Sequence, residues 1–147
     1  MKIISHRGNI NGSELNRENK PWAIDECLFY GFDVEVDVWY IDNKFYLGHD
    51  IPQYLINSSW LIDNSKFLWC HAKNTEALFE LFKLKVHCFW HETDKITITN
   101  KGIPWCYPNT FIENGITVCL GVDKIDTNIY GICTDYPVDW KNRLIKY

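Results

Sequence analysis

The sequence predicts an α/β fold, a compact and incomplete (β/α) barrel of the TIM type with reduced helices in its second half. Strand-like apolar runs recur at 2–5, 33–39, 44–48, 67–71, 86–90, 103–107, 116–120 and 130–134. Helical patterns separate the early runs, and strand–helix alternation argues for a mainly parallel sheet with helices on its faces. The chain has 147 residues, whereas a full barrel takes roughly 200 or more. Beyond residue 86 the strands follow too closely for a full helix between each pair, so turns or extended segments must replace helices there. No linker, repeat or low-complexity stretch divides the chain, so 1–147 is read as a single domain.

Each element has a local reason. Residues 21–30 open with Pro21, suited to a first helical turn, and stop at Gly31. In 33–39, Val34, Val36 and Val38 alternate with Asp33, Glu35 and Asp37, so apolar and acidic side chains share opposite faces of a strand. A less regular helical pattern covers 53–61. Residues 74–83 begin with two candidate caps, Asn74 and Thr75, and place Ala77, Leu78, Leu81 and Phe82 on one face. A closing helical turn is expected over 139–146.

Composition removes several function classes. A net charge of −4 with no basic stripe argues against nucleic-acid binding by phosphate neutralisation. No run of about 18 apolar residues exists, so no membrane span is expected. Of six cysteines, Cys70, Cys88, Cys106, Cys119 and Cys133 lie in short apolar runs, and no CxxC occurs. Buried thiols in a reducing compartment are therefore expected rather than a disulfide framework. The first strand begins at Lys2, which leaves no room for a secretory leader in this chain. Together these points predict a cytoplasmic protein.

The acidic strand poses the functional question. Two or three carboxylates in line repel unless water or a cation neutralises them. A wet antiparallel face is one answer; a cation is the other. In a parallel barrel the carboxyl ends of the strands form the mouth where active sites assemble. That mouth would gather His6 and Arg7, Glu35 and Asp37, His49 and Asp50, and His71 and Lys73. Each type has a use against a phosphate diester. Glu35 and Asp37 are hard oxygen ligands suited to Mg²⁺ or Ca²⁺, which would polarise the phosphate. Arg7 and Lys73 add positive charge, and His6 and His49 titrate in the range where one accepts a proton while the other donates one.

His6-Arg-Gly8, Glu18-Asn19, Glu35-Val-Asp37 and His49-Asp50, in this order and spacing, resemble the glycerophosphodiester phosphodiesterase family of the PLC-like TIM-barrel phosphodiesterases. Gly131-Ile-Cys-Thr-Asp-Tyr-Pro137 resembles that family's closing strand and Thr-Asp-x-Pro signature. The resemblance implies His6 and His49 as the acid–base pair, Glu35 and Asp37 as metal ligands, and Arg7 and Lys73 as phosphate-binding residues. Glu18 would orient the site from its rim, with Asn19 and Asp50 in support. The substrate would be a small phosphodiester. One departure stands out: the family's Glu-x-Lys reads His71-Ala-Lys73 here. His71 is then a further candidate ligand or a packed structural imidazole, and Glu92 or Asp94 offers an alternative carboxylate. Three readings follow: a metal-dependent hydrolase, a lyase that forms a cyclic phosphate with the same histidines, and a phosphate-binding module without turnover.

Overall fold

The structure, a computed structural model, describes residues 1–121 and 128–145. In chain order its elements are β1 (Lys2–His6), α1 (Pro21–Phe29), β2 (Asp33–Ile41), β3 (Lys44–Leu47), β4 (Tyr54–Ile56), α2 (Ser58–Asp63) and β5 (Leu68–Ala72). They continue with α3 (Thr75–Lys83), β6 (Cys88–Phe89), β7 (Ile96–Ile98), β8 (Pro104–Cys106), β9 (Ile116–Val118), β10 (Gly131–Thr134) and α4 (Pro137–Ile145).

All the described strands belong to one ten-stranded sheet. β6, β5, β2, β1, β10, β9 and β8 run parallel in that order. Two antiparallel excursions flank them. The far half of β2 turns back through β3 and β4, and β7 pairs with β8. The sheet is curled: Phe89 on β6 and Trp105 on β8, from opposite ends of the parallel order, stack with ring centroids 4.5 Å apart. Among the described residues no ladder joins β6 to β8, so the sheet is an open curl rather than a complete barrel. Asn100 bridges the gap. Its side chain accepts from Cys88 N and donates to Val86 O, and its own N–H donates to Cys88 O.

Strand parity sets the two faces. Val34, Val36 and Val38 point outward and are fully buried with Ile24 and Cys27 of α1 and Ala77 and Leu81 of α3. Each such aliphatic side chain contributes roughly 1.5–3 kcal/mol on burial. Ile4, Trp69, Phe89, Trp105, Ile116 and Cys133 point inward and fill the base of the curl. Ile132 packs on Trp140 of α4, a third small cluster outside β10. The inward Asp33, at the bottom of this interior, accepts from Lys2 Nζ and Trp69 Nε1, each at 2.8 Å. The six cysteines are free thiols and five are buried; burial pushes the Cys88 thiol up to about 11.

Where local pattern differs from structure, tertiary pairing decides. Residues 53–61, read as helix, divide into β4 and the short α2, because β4 completes the sheet edge along β3. β7, unanticipated in a polar stretch, exists as the hairpin partner of β8. The closing helix starts two residues early, at Pro137, whose fixed φ suits a first turn; Lys146 lies outside the described residues. Between α3 and α4 no helix occurs among the described residues, as the close strand spacing requires. No described helix is long and apolar enough to cross a membrane.

Two loop positions carry large structural consequences. Asn74 caps α3 by accepting from Ala77 N at 3.1 Å, while also accepting from Tyr40 N and donating to Tyr40 O. Asn74→Ala therefore removes a cap and a helix-to-strand tie together, and denaturant unfolding should show a loss of about 1–2 kcal/mol. Gly48 holds φ +153°, and a Cβ there would stand 2.0 Å from the carbonyl oxygen of Ile51. Gly48→Ala should thus displace the loop that carries His49, read as a lowered melting temperature.

Candidate active site

The carboxyl ends of the parallel strands deliver the polar side chains, because the inward parity that fills the base of the curl with apolar groups continues upward into charged ones. His6 stands beside Glu35 in the β1–β2 register, and Asp37 beside His71 in the β2–β5 register. Lys73 follows β5, its N–H bonded to Val38 O at 2.8 Å. Gly48 N bonds to Asp37 O at 3.1 Å, which brings His49 back over β2. Asp135 follows β10. Arg7 (φ 55°) and Asn19 (φ 59°) both take the left-handed conformation, and Asn19 N bonds to Arg7 O at 2.8 Å, folding the 7–19 loop onto the mouth.

His6, Arg7, Glu35, His49, His71, Lys73 and Asp135 line a cavity of about 620 Å³, with Asp37 and Asn19 buried behind them. One wall is polar, with His6, Arg7, Glu35, His49, His71 and Lys73; the other is largely apolar, with Trp105, Tyr107, Pro108, Val118 and Leu120. Glu92 also reaches the cavity. His91 turns its Nε2 to the carbonyl of Asp94.

Asp37 is the electrostatic centre of the polar wall, and its carboxylate is wholly buried. Oδ2 accepts from Asn19 Nδ2 at 2.8 Å and from His49 Nδ1 at 3.3 Å, and pairs with Arg7 Nε at 3.1 Å. Oδ1 lies 3.2 Å from His71 Nδ1 and 3.7 Å from Lys73 Nζ, yet takes no aligned hydrogen bond. Burial alone would raise this carboxyl; the hydrogen bond from His49, the adjacent His71 ring and the charge of Arg7 outweigh it and hold the group well below the usual range.

Glu35 behaves oppositely. It is 3% exposed, and its Oε2 has no hydrogen-bond partner among the described residues. Burial, then the neighbouring Asp37 charge, push its carboxyl above the usual range against the pull of His6, Arg7 and His71. A buried carboxylate oxygen without a donor costs about 1–3 kcal/mol or more.

His71 completes the cluster. Its Nε2 donates to the carbonyl of His91 at 2.7 Å. A carbonyl can only accept, so Nε2 carries a proton, and Nδ1 faces Asp37 Oδ1 and, at 3.8 Å, Glu35 Oε1. In the neutral ring that Nδ1 lone pair opposes two carboxylates, which is repulsive without a cation, a proton or a metal ion, among them. One ligand atom from each of Glu35, Asp37 and His71 falls within 4.8 Å of the others, and a backbone carbonyl fixing the far nitrogen is the usual support of a ligating imidazole. The donor set fits a divalent cation.

His6 is oriented from behind. Its Nδ1 donates to Asp135 Oδ1 at 2.8 Å, and Asn9 Nδ2 donates to the same oxygen at 2.7 Å. Nε2 is therefore the imidazole atom left for the cavity. Burial lowers the pKa of His6, but the Asp135 hydrogen bond and the charge of Glu35 more than reverse it, so the net shift is upward from 6.5. His49 is less enclosed: Nδ1 faces Asp37 while Arg7 Nη2 donates to Nε2 at 3.3 Å. Glu18 accepts from Arg7, Asn9 and Ser13, which fixes the guanidinium at the rim. Ser13 and hydrogen bonds from Asn9 and Arg7 overcome burial and lower the Glu18 carboxyl.

The structure thus brings His6, Arg7, Glu18, Glu35, Asp37, His49, His71 and Lys73 together. Asn19 lies behind Asp37, to which it bonds twice. Asp50 sits outside, its side chain 90% exposed and 3.6 Å from His49 Nε2. Sequence reasoning missed Asn9 and Ser13, whose only signal was proximity to His6-Arg-Gly8. Asp135 entered only through the Thr-Asp-x-Pro signature, without its bond to His6. No protein-family model, no curated protein and no solved structure matches this chain.

Proposed function

We propose that the chain is a metal-dependent phosphodiesterase that cleaves a small, glycerophosphodiester-like phosphate diester. The observation that carries this reading is the convergence on one cavity of a carboxylate-oriented imidazole, two cationic side chains and an unpartnered buried carboxylate oxygen. Glu35, Asp37 and His71 would hold the cation, which when bound draws negative charge from a phosphate oxygen. Arg7 and Lys73 bind the remaining phosphate oxygens. His6 Nε2 takes the proton of the attacking hydroxyl, and Asp135 stabilises the imidazolium that results. Arg7 leaves His49 Nε2 when its guanidinium turns to the phosphate; Nε2 then takes up a proton from solvent, and Asp37 holds the resulting imidazolium at Nδ1. The new P–O bond forms as the bond to the leaving alcohol breaks, and His49 Nε2 gives that alcohol its proton. The apolar wall excludes water from one side of the reacting group.

The test is a panel of glycerophosphodiesters, lysophospholipids and a bis-aryl phosphate, incubated with divalent cations and followed by phosphorus NMR. Cleavage that stops on chelation is the expected result. A persistent cyclic phosphate product would assign attack to the substrate's own hydroxyl instead of water, and no cleavage of any diester would refute the proposal.

The rate should also depend on pH in a definite direction. His6 must be neutral to accept a proton, so kcat/KM rises with pH through a pKa displaced above 6.5. Asp135→Asn should move that limb to lower pH and reduce kcat by roughly 10²–10⁴-fold; an unmoved limb would assign it to another group.

A further inference from the structure

We propose that this centre selects a first-row transition-metal dication, Mn²⁺ or Zn²⁺, over Mg²⁺ and Ca²⁺, an inference that rests on the metal-dependent reading above. Two carboxylates alone would suit the hard cations, which take oxygen ligands almost exclusively. The third donor changes the preference. Imidazole nitrogen is a borderline ligand that binds first-row transition dications, Zn²⁺ above Mn²⁺, more tightly than it binds the hard Mg²⁺ or Ca²⁺, and a mixed nitrogen–oxygen site follows that order.

The nitrogen is built in rather than incidental. His71 is pinned at Nε2 by the His91 carbonyl and stacked on Phe89, with ring centroids 5.1 Å apart and planes within 11°. The ring therefore cannot turn away to leave an all-oxygen site without breaking a part-buried hydrogen bond and a ring contact. Its Nδ1 already points at Asp37 Oδ1 and Glu35 Oε1. The second oxygen of Glu35, buried and without a donor, supplies an independent sign that a positive charge belongs there.

Metal-free protein, titrated separately with Mn²⁺, Zn²⁺, Mg²⁺ and Ca²⁺ by calorimetry, tests this directly. Mn²⁺ and Zn²⁺ should bind about 10-fold or more tightly than Mg²⁺ or Ca²⁺. Electron spin-echo spectra of bound Mn²⁺ should carry modulation from one imidazole nitrogen. His71→Glu should abolish that modulation and narrow or reverse the Mn²⁺:Mg²⁺ ratio; His71→Gln serves if the extra charge prevents folding, with loss of the modulation and weaker Mn²⁺ binding expected. Glu35→Gln should remove binding, which distinguishes this site from surface groups. Mg²⁺ or Ca²⁺ binding as tightly as Mn²⁺, or a ratio unchanged in His71→Glu, overturns the inference while leaving the phosphodiesterase reading intact. Absence of binding by every ion overturns it as well and assigns His71 the role of a protonated counter-charge. Selective binding without cleavage of any diester leaves the inference standing and removes the proposed function.

Discussion

His6→Ala should lower kcat for diester cleavage by about 10³-fold or more while the protein remains folded. Three features make this position unlike an ordinary part-buried histidine. Asp135 fixes the tautomer, Asn9 fixes Asp135, and the nitrogen not used in that chain is the one on the cavity side. The ring contributes little to the apolar base of the curl, which is filled one layer lower by Ile4, Trp69 and Cys133. Loss of the imidazole thus removes a proton acceptor at modest structural cost. Thermal unfolding should show a small shift, and steady-state kinetics should show the loss in kcat rather than in KM. Full activity in this variant would refute the role given to His6.

The second large effect concerns stability, and it has opposite signs at two residues of one strand. Asp37→Ala should cost about 3–5 kcal/mol, because it leaves Arg7 with Glu18 alone as its ion-pair partner and strips Asn19 and His49 of their acceptor. Its folded-state pKa is depressed. Its contribution is therefore present above the unfolded carboxylate value and is lost as pH falls through the folded one. Glu35 is raised instead. Its contribution holds below the unfolded value and is lost as pH rises through the folded one, so at neutral pH burying this carboxyl is a burden. Glu35→Gln should accordingly raise the melting temperature of the metal-free protein at neutral pH while eliminating cation binding. Melting curves of both variants across pH check the contrast; destabilisation by Glu35→Gln at neutral pH would mean that the orphan oxygen has a partner in solution.

The strands that carry the site were legible because their side chains obey a strict period. The valines of β2 face α1 and α3, and the acids between them face inward, as alternation requires. α1 and α3 were legible from Pro21 and Gly31 and from the cap at Asn74. β4 and β7 were not, since each is short and part-exposed and exists only through a hairpin neighbour. The site's chemistry-bearing residues were legible at strand ends, where a barrel places them. The hydrogen bonds that make them a unit were not. Asn9, Ser13 and Asp135 act across separations of up to 129 residues, and no local pattern encodes such a bond. The distinct states of Glu35 and Asp37 likewise depend on where Arg7 and Asn19 arrive in space.

Crystals grown with Mn²⁺ and a slowly cleaved phosphorothioate diester, examined at the manganese absorption edge, test the central claim most directly. One anomalous peak should lie among Glu35, Asp37 and His71, with the diester's phosphorus within reach of Arg7, Lys73 and His6 Nε2. A peak elsewhere, or an ordered diester bound away from this cavity, would contradict the account.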